Sequence, residues 1–369
     1  MTSSIFFLHL LPRLLVPLLV FTMLPIAAPS MAAAPAFEQA LPGKPLRFPQ
    51  DFGAHPGFRT EWWYATGWLA GPDGQPFGFQ VTFFRSATGH DRANPSRFAA
   101  HQIVVAHAAL ADPRHGRLVH DQKRARAGFD LAWAREGDTD VKLLDWHFRR
   151  QPDGNYHAYV PAREFTLDLT LSPTQSVMVQ GAHGYSRKGP HPEQASHYYS
   201  RPHLRVEGGV VREGKPLDVS GEAWLDHEWS TTVLDEKAVG WDWIGINLAD
   251  GGALVAFRIR GRDGGDLWAH AALRRQDGSV ETYGPDQVRF TPRRSWRSPR
   301  TEAEYPVAFT ITAGDHQWDL ESLMDDQELD SRASTGAVYW EGAVTALREG
   351  RPVGRGYLEM TGYVSPMEL

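Results

Sequence analysis

The chain contains the same sequence pattern twice, and this internal repeat constrains the fold more than any other feature. Residues 61–85 read EWWYATGWLAGPDGQPFGFQVTFFR, and residues 241–260 read WDWIGINLADGGALVAFRIR. A second pair closes each copy, since residues 212–226 read REGKPLDVSGEAWLD and residues 348–359 read REGRPVGRGYLE. Each copy opens with an aromatic strand, turns at Asp-Gly and ends in a strand that carries an acidic residue. We therefore expect two related domains, the first enlarged by extra residues in its loops.

Alternating apolar residues predict β-strands in most of the chain. Every second side chain of residues 165–172 (FTLDLTLS) is apolar, and residues 77–83 and 307–311 repeat this two-residue period. Asp-Gly pairs between such runs indicate hairpin turns. Residues 325–332 are the one stretch for which we expect a short helix as an alternative. The pattern predicts an all-β protein of antiparallel sheet, in a sandwich or a barrel.

The N-terminus has the pattern of an export signal. Leu14–Ala28 is apolar, Arg13 is its flanking charge, and a run of small residues follows. We expect a signal peptide of residues 1–33 and a mature protein that is periplasmic or secreted. Pro17 and Pro25 interrupt the apolar run, which argues against a stable membrane-spanning helix. An uncleaved anchor is the alternative.

Thirteen tryptophans and no cysteine form an unusual ratio. Without cysteine there is no disulfide and no lipoprotein acylation site. Tryptophan offers a large apolar surface with one polar N–H group, which suits both cores and ligand pockets. The net charge is −6 and the sequence contains no run of basic residues. We therefore expect no binding to nucleic acid and no stable insertion into a membrane.

Signatures of common hydrolases and nucleotide-dependent enzymes are missing from the sequence. The chain has no Gly-x-Ser-x-Gly, no His-Glu-x-x-His and no glycine-rich phosphate loop. A Ser-His-Asp triad assembled from distant strands remains an open alternative, because such triads follow no fixed order.

Five sequence blocks resemble the carotenoid 1,2-hydratase and AttH-like family, whose members are also described as predicted secreted hydrolases. The blocks are HPGFRTEWWY at 55–64, GYSRK at 184–188, SHYYS at 196–200, GEAWLDHEW at 221–229 and WDW at 241–243. The resemblance covers residues 55–369. It implies two tandem lipocalin-like antiparallel β-barrels packed together, at 37–230 and 231–369, with a ligand site at or near their junction.

The resemblance also implies catalytic residues. In the hydratases of this family the His-x-Trp of the DHxW block, here His227 and Trp229, is proposed to act with a Tyr-x-Asp on the following strand. That strand carries Phe257 here and has no carboxylate, so Asp242 on the strand before is the candidate substitute. Asp226, within the block, is the other candidate acid.

Addition of water to an alkene needs a proton donor and a site for the resulting cation. A carboxylic acid kept protonated by an aromatic-lined pocket can supply the proton, and aromatic faces stabilise the cation. On a strand His227 and Trp229 share one face and Asp226 lies on the other. A purely structural role, in which Asp226 and His227 bond neighbouring strands, is the alternative. The candidate ligand-binding residues are the aromatic side chains Trp62, Trp63, Tyr64, Tyr198, Tyr199, Trp224, Trp241, Trp243 and Phe257.

Other polar residues have competing interpretations. Glu61 precedes the WWY motif, and a structural ion pair with Arg59 or Arg85 is preferred over acid catalysis. His197 and His203 could approach His227 and imitate a metal site, but their spacing is not one that metal sites use. We therefore expect neither a metal nor another cofactor.

Two functions remain open on these grounds. The first is an exported lipocalin-like protein that binds a hydrophobic ligand, of lipid or isoprenoid type, at or near the barrel junction, with an envelope ABC-type transporter as a candidate partner. The alternative is a hydro-lyase or cyclase of the carotenoid 1,2-hydratase type, rather than a serine or metal hydrolase. A cavity with aromatic and aliphatic walls alone favours the carrier, whereas a carboxylate beside His227 favours the enzyme.

Overall fold

The computed structural model describes residues 1–2, 37–91 and 93–367. Nearly all of the predicted signal peptide, residues 1–33, lies outside the described residues. Among the described residues a single 3-10 turn, Gln50–Phe52, accompanies twenty-three β-strands, so the predicted all-β class is confirmed. No helix within these ranges has the length and apolarity to cross a bilayer.

The first sheet contains strands β1–β13, counted within the described residues, in the order β4-β3-β2-β1-β13-β12-β9-β8-β7-β6-β5, with β10 and β11 beside β12. The sheet curls into a nearly closed barrel. β4 at one edge reaches the turn after β6, where Lys123 forms an ion pair with Asp145. The strands are β1 (Thr60–Ala70), β2 (Pro76–Ala87), β3 (Gln102–Ala111), β4 (Val119–Arg126), β5 (Ala132–Ala134), β6 (Asp140–Leu143), β7 (Trp146–Arg150), β8 (Tyr156–Pro161), β9 (Phe165–Pro173), β10 (Met178–Val179), β11 (Tyr185–Arg187), β12 (Ala195–Arg212) and β13 (Lys215–Thr232).

The second sheet contains the ten later strands of the described chain, in the order β17-β16-β15-β14-β23-β22-β20-β19-β18, with β21 beside β22. Residues 325–332 do not form the expected helix, because β21 pairs with β22 and its Leu329 is buried. The strands are β14 (Ala238–Leu248), β15 (Ala253–Gly261), β16 (Asp266–Arg274), β17 (Val280–Tyr283), β18 (Val288–Arg297), β19 (Glu304–Ala313), β20 (His316–Ser322), β21 (Glu328–Asp330), β22 (Val338–Arg348) and β23 (Arg351–Met360).

The sequence repeat corresponds to a repeat of strand pairing. In the first sheet the opening strand β1 lies between β2 and the closing strand β13. In the second sheet β14 lies between β15 and β23 in the same way. The duplication inferred from the sequence is therefore present in the topology of both sheets.

Each sheet encloses a hydrophobic cluster, and a third cluster joins the two sheets. The first is built around Trp63, Phe79 and Leu169, and the second around Ile244 and Trp340. The third cluster, which we call the junction, takes side chains from the outer faces of both sheets: Tyr64, Trp68, Trp224, Trp243, Phe257, Tyr357 and their apolar neighbours. Trp68 Nε1 donates across it to the carbonyl oxygen of Gly356 at 3.0 Å.

Alternation along β1 and β13 decides which side chains enter the first barrel and which enter the junction. Trp63 pairs with His227, and both point into the barrel, where His227 is fully buried. Tyr64 pairs with Asp226, and both point toward the second sheet. One strand pair therefore supplies two separate polar sites, back to back.

Candidate functional site

The polar site inside the first barrel lies at its mouth, on four adjacent strands. Glu61 on β1 pairs with Arg85 on β2 and with Trp229 on β13, and Trp229 pairs in turn with His197 on β12. The side chains of all four residues enter the barrel because they occupy the inward positions of their strands. The next inward row consists of Trp63, His227 and Tyr199.

Glu61 is the centre of the site. Its Oε1 lies 2.8 Å from Nε2 of His227 and 2.8 Å from Nδ1 of His55, while its Oε2 accepts a 2.8 Å bond from Nε of Arg85. The backbone N–H of His55 also donates to this carboxylate. Glu61, Arg85 and His227 are fully buried, whereas the His55 side chain is 17% exposed. We call His55, Glu61 and His227 the triad.

Arg85 also fixes the loop that carries His55. Its Nη2 donates to the carbonyl oxygens of His55 and Phe58, both at 3.1 Å. The expected ion pair between Glu61 and an arginine is therefore present, but it belongs to a larger network. A buried carboxylate with this many donors stays ionised at a fixed position.

Aromatic rings hold both imidazoles of the triad. The His55 ring stacks on Trp229, with centroids 3.6 Å apart and planes 6° apart. The His227 ring stacks on Trp63 with centroids 4.6 Å apart, and its Nδ1 lies 3.1 Å from the Tyr199 hydroxyl. The rings cannot rotate without loss of these contacts, so the geometry of the triad is preorganised.

The charges of the triad differ from residue to residue. Burial would raise the pKa of Glu61, but His55, His227 and Arg85 hold it well below its usual range. Burial lowers the pKa of His227 to about 4, so this ring is neutral near neutral pH. Burial also opposes a charge on His55, yet Glu61 and Asp51 reverse that effect and raise its pKa. His55 is therefore the triad member that gains a proton most readily.

A cleft of about 500 Å³ opens beside the triad, and His55 and Trp229 form part of its wall. Leu46, Phe58 and His197 contribute apolar and aromatic surface, and Asp51 lies 3.4 Å from Nε2 of His55. The volume falls within the range of small-molecule sites. His55 is the member of the triad that a molecule in this cleft would touch.

Asp226 occupies the second polar site, on the opposite face of β13. Its carboxyl accepts bonds from the hydroxyls of Tyr198 at 2.7 Å and Ser200 at 2.6 Å, and from Nε1 of Trp224 at 2.6 Å. Burial raises its pKa to about 7 despite these donors. Trp68 and Trp224 line a groove of about 210 Å³, which Asp226 itself does not line. The predicted separation of Asp226 from His227 and Trp229 is present in the structure.

Asp242 lies neither in the triad site of the first barrel nor in the junction site of Asp226. It points into the core enclosed by the second sheet, where its carboxyl accepts bonds from Nε of Arg258 at 2.7 Å and Nε of Arg260 at 3.2 Å. Arg258 packs against the rings of Phe290 and Phe309 in that core. The carboxylate that meets His227 is therefore Glu61, not Asp242, because β14 directs Asp242 away from the first sheet.

The structure divides the predicted aromatic residues between different surroundings. Trp63 and Tyr199 contact His227 inside the first barrel. Tyr198 faces the junction, where it bonds to Asp226 and accepts a bond from Trp243 Nε1 at 3.2 Å. The remaining predicted residues pack in or against the junction cluster: Trp62, Tyr64, Trp224, Trp241, Trp243 and Phe257.

Sequence reasoning missed His55 and Asp51 as members of the site, whereas Arg85 was expected as one of two candidate ion-pair partners of Glu61. His55 opens the HPGFRTEWWY block, so its position in that motif was the available signal. His203 lies away from the triad, because it bonds to Glu222 at 2.6 Å and to the Gly252 carbonyl. His197 reaches Trp229, with ring centroids 5.7 Å apart, but does not contact the triad.

Comparison with known proteins gives a consistent result. The AttH-like family model matches residues 39–363. A protein from Nitrosomonas europaea, whose crystal structure is described as that of an AttH, is 58% identical in sequence to this chain. The two structures align with a TM-score of 0.84 over 89% of this chain and 100% of the Nitrosomonas europaea chain. Kievitone hydratase from Nectria haematococca is 15% identical, with a TM-score of 0.66 over 90% of this chain and 98% of its own, and shares the lipocalin-like double-barrel fold. A comparison with curated proteins finds no match.

Proposed function

The chain belongs to the AttH-like family, and from this premise we propose that it is an enzyme of the hydratase type, which adds water to, or removes it from, an apolar substrate held in the cleft. The observation that carries the proposal is the contact of Glu61 with both His227 and His55, because His55 also forms part of the cleft wall. A carboxylate beside His227 is the feature that separates an enzyme from a carrier with purely apolar walls.

His55 is the proposed catalytic residue. Its Nδ1 faces Glu61 at 2.8 Å, whereas its Nε2 has a weaker contact of 3.4 Å with Asp51. A carboxylate bonded to one imidazole nitrogen orients the ring and stabilises its protonated form. Nε2 is therefore the atom that exchanges a proton with a molecule in the cleft.

One histidine can carry both proton transfers of a hydration. The His55 imidazolium gives its Nε2 proton to one alkene carbon, which leaves a cation on the other carbon. Water attacks the cation and returns a proton to Nε2, so His55 ends as it began and one water has been added. An imidazolium is a weak acid, so the reaction suits an electron-rich alkene whose cation is tertiary or allylic.

The other residues of the site position His55. Glu61 and Arg85 hold the ring and its loop, and His227 occupies the second donor position on Glu61. The Trp229 face supports the imidazole, and Trp229 also forms part of the cleft wall. Leu46 and Phe58 supply apolar surface to the cleft, whose wall also carries the charged side chains of Lys44, Arg47 and Glu136. The proposed substrate therefore combines an apolar part with polar groups.

Location and partner are further proposals. Export to the periplasm, or secretion, rests on the sequence of residues 1–33. An envelope transporter as a partner rests on the family resemblance. Simple binding of a hydrophobic ligand, without turnover, is the competing function.

The test is hydration of a panel of isoprenoid alkenes and prenylated aromatics in isotope-labelled water, followed by mass spectrometry. We expect one substrate to gain one labelled water with the wild-type protein and none with His55→Ala. His316→Ala, on the second sheet, is the matched control and should retain turnover. Binding without a mass gain would favour the carrier, and retained turnover in His55→Ala would refute the role of His55.

A further inference from the structure

The triad has the composition and the geometry of a metal-binding site. Nδ1 of His55, Nε2 of His227 and one carboxylate oxygen of Glu61 lie within 4.8 Å of one another. Two histidines and one carboxylate that leave open positions are a ligand set used by catalytic zinc and by mononuclear non-haem iron. We propose that the triad binds one divalent transition-metal ion, a binding that does not depend on the proposed reaction.

The spacing of the donor atoms suits such an ion. Each imidazole nitrogen lies 2.8 Å from Oε1 of Glu61. Ligand bonds of roughly 2.0–2.1 Å, set at right angles, separate two donor atoms by about 2.9 Å. Both distances to Oε1 therefore match neighbouring corners of an octahedron. The two imidazole nitrogens, which lie within 4.8 Å of each other, must reach a similar separation when the three ligands share one face. A tetrahedral ion needs donor atoms set somewhat farther apart.

Each ligand also has a partner on its other polar atom. Nε2 of His55 faces Asp51 at 3.4 Å, Nδ1 of His227 faces the Tyr199 hydroxyl at 3.1 Å, and Oε2 of Glu61 accepts from Arg85 at 2.8 Å. Metal-ligating histidines commonly donate their second N–H to an oxygen of this kind, which fixes the required tautomer. Both imidazoles can thus move their proton away from Glu61 and keep it hydrogen-bonded.

Charge determines what else the ion must carry. With His55 protonated, the positive charges of His55 and Arg85 balance the negative charges of Glu61 and Asp51. A divalent ion that displaces the His55 proton leaves one net positive charge. A hydroxide or another anion on the cleft side of the ion would balance it, because His55 is the member of the triad that borders the cleft. The metal-loaded and protonated forms of the site exclude one another.

The test is titration of chelator-treated, full-length mature protein with Zn²⁺, followed by calorimetry and elemental analysis after desalting. We expect about one zinc per chain for the wild type and loss of that zinc in His55→Ala, a partly exposed position whose change spares the core. Co²⁺ should give a visible absorption band in the wild type that His55→Ala abolishes. Mg²⁺, which prefers oxygen ligands, should not compete.

A second histidine pair provides the matched control. His147 Nε2 lies 3.2 Å from His157 Nδ1 on the outside of the first barrel, and His157 also bonds to Asp168. We expect His157→Ala to bind zinc as the wild type does. No stoichiometric zinc, or zinc that survives in His55→Ala, would overturn the proposal. Zinc binding without hydration would support the metal site and contradict the proposed function. Hydration by a protein that binds no zinc would support the proposed function and contradict the metal site.

Discussion

Nε2 of His227 lies 2.8 Å from Oε1 of Glu61, a residue 166 positions earlier in the chain. The two residues meet because β13, the closing strand of the first copy, pairs with β1, its opening strand. His55 reaches the same oxygen from the loop before β1, and Arg85 holds that loop. The site therefore depends on one strand pairing and one anchored loop.

Loss of the Glu61 charge should destabilise the protein. In Glu61→Gln the side chain keeps its size, but the fully buried Arg85 loses its counter-charge. Removal of one partner of a buried ion pair costs about 3–5 kcal/mol. Urea unfolding should show this loss. The exposed pair of Arg297 and Glu302 is the control, and Glu302→Gln should leave the free energy of unfolding unchanged.

His227→Ala should strongly destabilise the protein. The ring is fully buried between Trp63 and Tyr199 and bonds to Glu61. Its removal leaves a cavity and should cost about 2–5 kcal/mol. His55→Ala, at the partly exposed cleft wall, should cost clearly less. Thermal unfolding of the two variants side by side tests this order, and equal losses would contradict the assigned burial.

The junction should make stability depend on pH. Burial raises the pKa of Asp226 from 3.8 to about 7 and that of Glu359 from 4.5 to about 8. For each group, between its pKa in the unfolded state and its raised pKa in the folded state, the folded protein binds more protons than the unfolded protein. The free energy of unfolding therefore falls as the pH rises through this window. The slope per group is at most about 1.4 kcal/mol per pH unit.

Asp226→Asn isolates one of these contributions. The amide cannot ionise, so the fall in stability between pH 4 and 7 should become shallower. The free energy of unfolding, measured by urea at several pH values, gives the two slopes. Identical slopes for the wild type and Asp226→Asn would show that this carboxyl ionises normally in the folded protein.

Trp68→Phe should weaken the contact between the two sheets. Nε1 of Trp68 donates to the Gly356 carbonyl at 3.0 Å, and both groups are buried in the junction. Phenylalanine keeps most of the apolar surface but leaves that carbonyl without this donor, which costs about 1–3 kcal/mol. Hydrogen exchange should show earlier opening of β23. Unchanged exchange there would mean that water replaces the lost bond.

Periodicity predicted much of this architecture. The alternation of β13 places His227 and Trp229 on one face and Asp226 on the other, as the strand period requires. The repeat likewise predicted the equivalent positions of β1 and β14. Both results follow from the two-residue period of β-strands and from the repeated sequence, which the residues show directly.

The centre of the site could not be predicted in the same way. His55 and Asp51 lie on irregular backbone before β1, where no period indicates direction. Arg85 reaches their loop through two backbone carbonyls that no sequence motif specifies. Asp242 does not reach His227 because two arginines of β15 hold it inside the core of the second sheet.

The most direct test of the account is a crystal structure of the protein with a bound hydration product or an unreactive substrate analogue. We predict that the ligand occupies the cleft between Leu46, Phe58 and Trp229, with its hydroxyl oxygen within hydrogen-bond distance of Nε2 of His55. A ligand seated in the junction beside Asp226, or in the core of the second sheet beside Asp242, would contradict it.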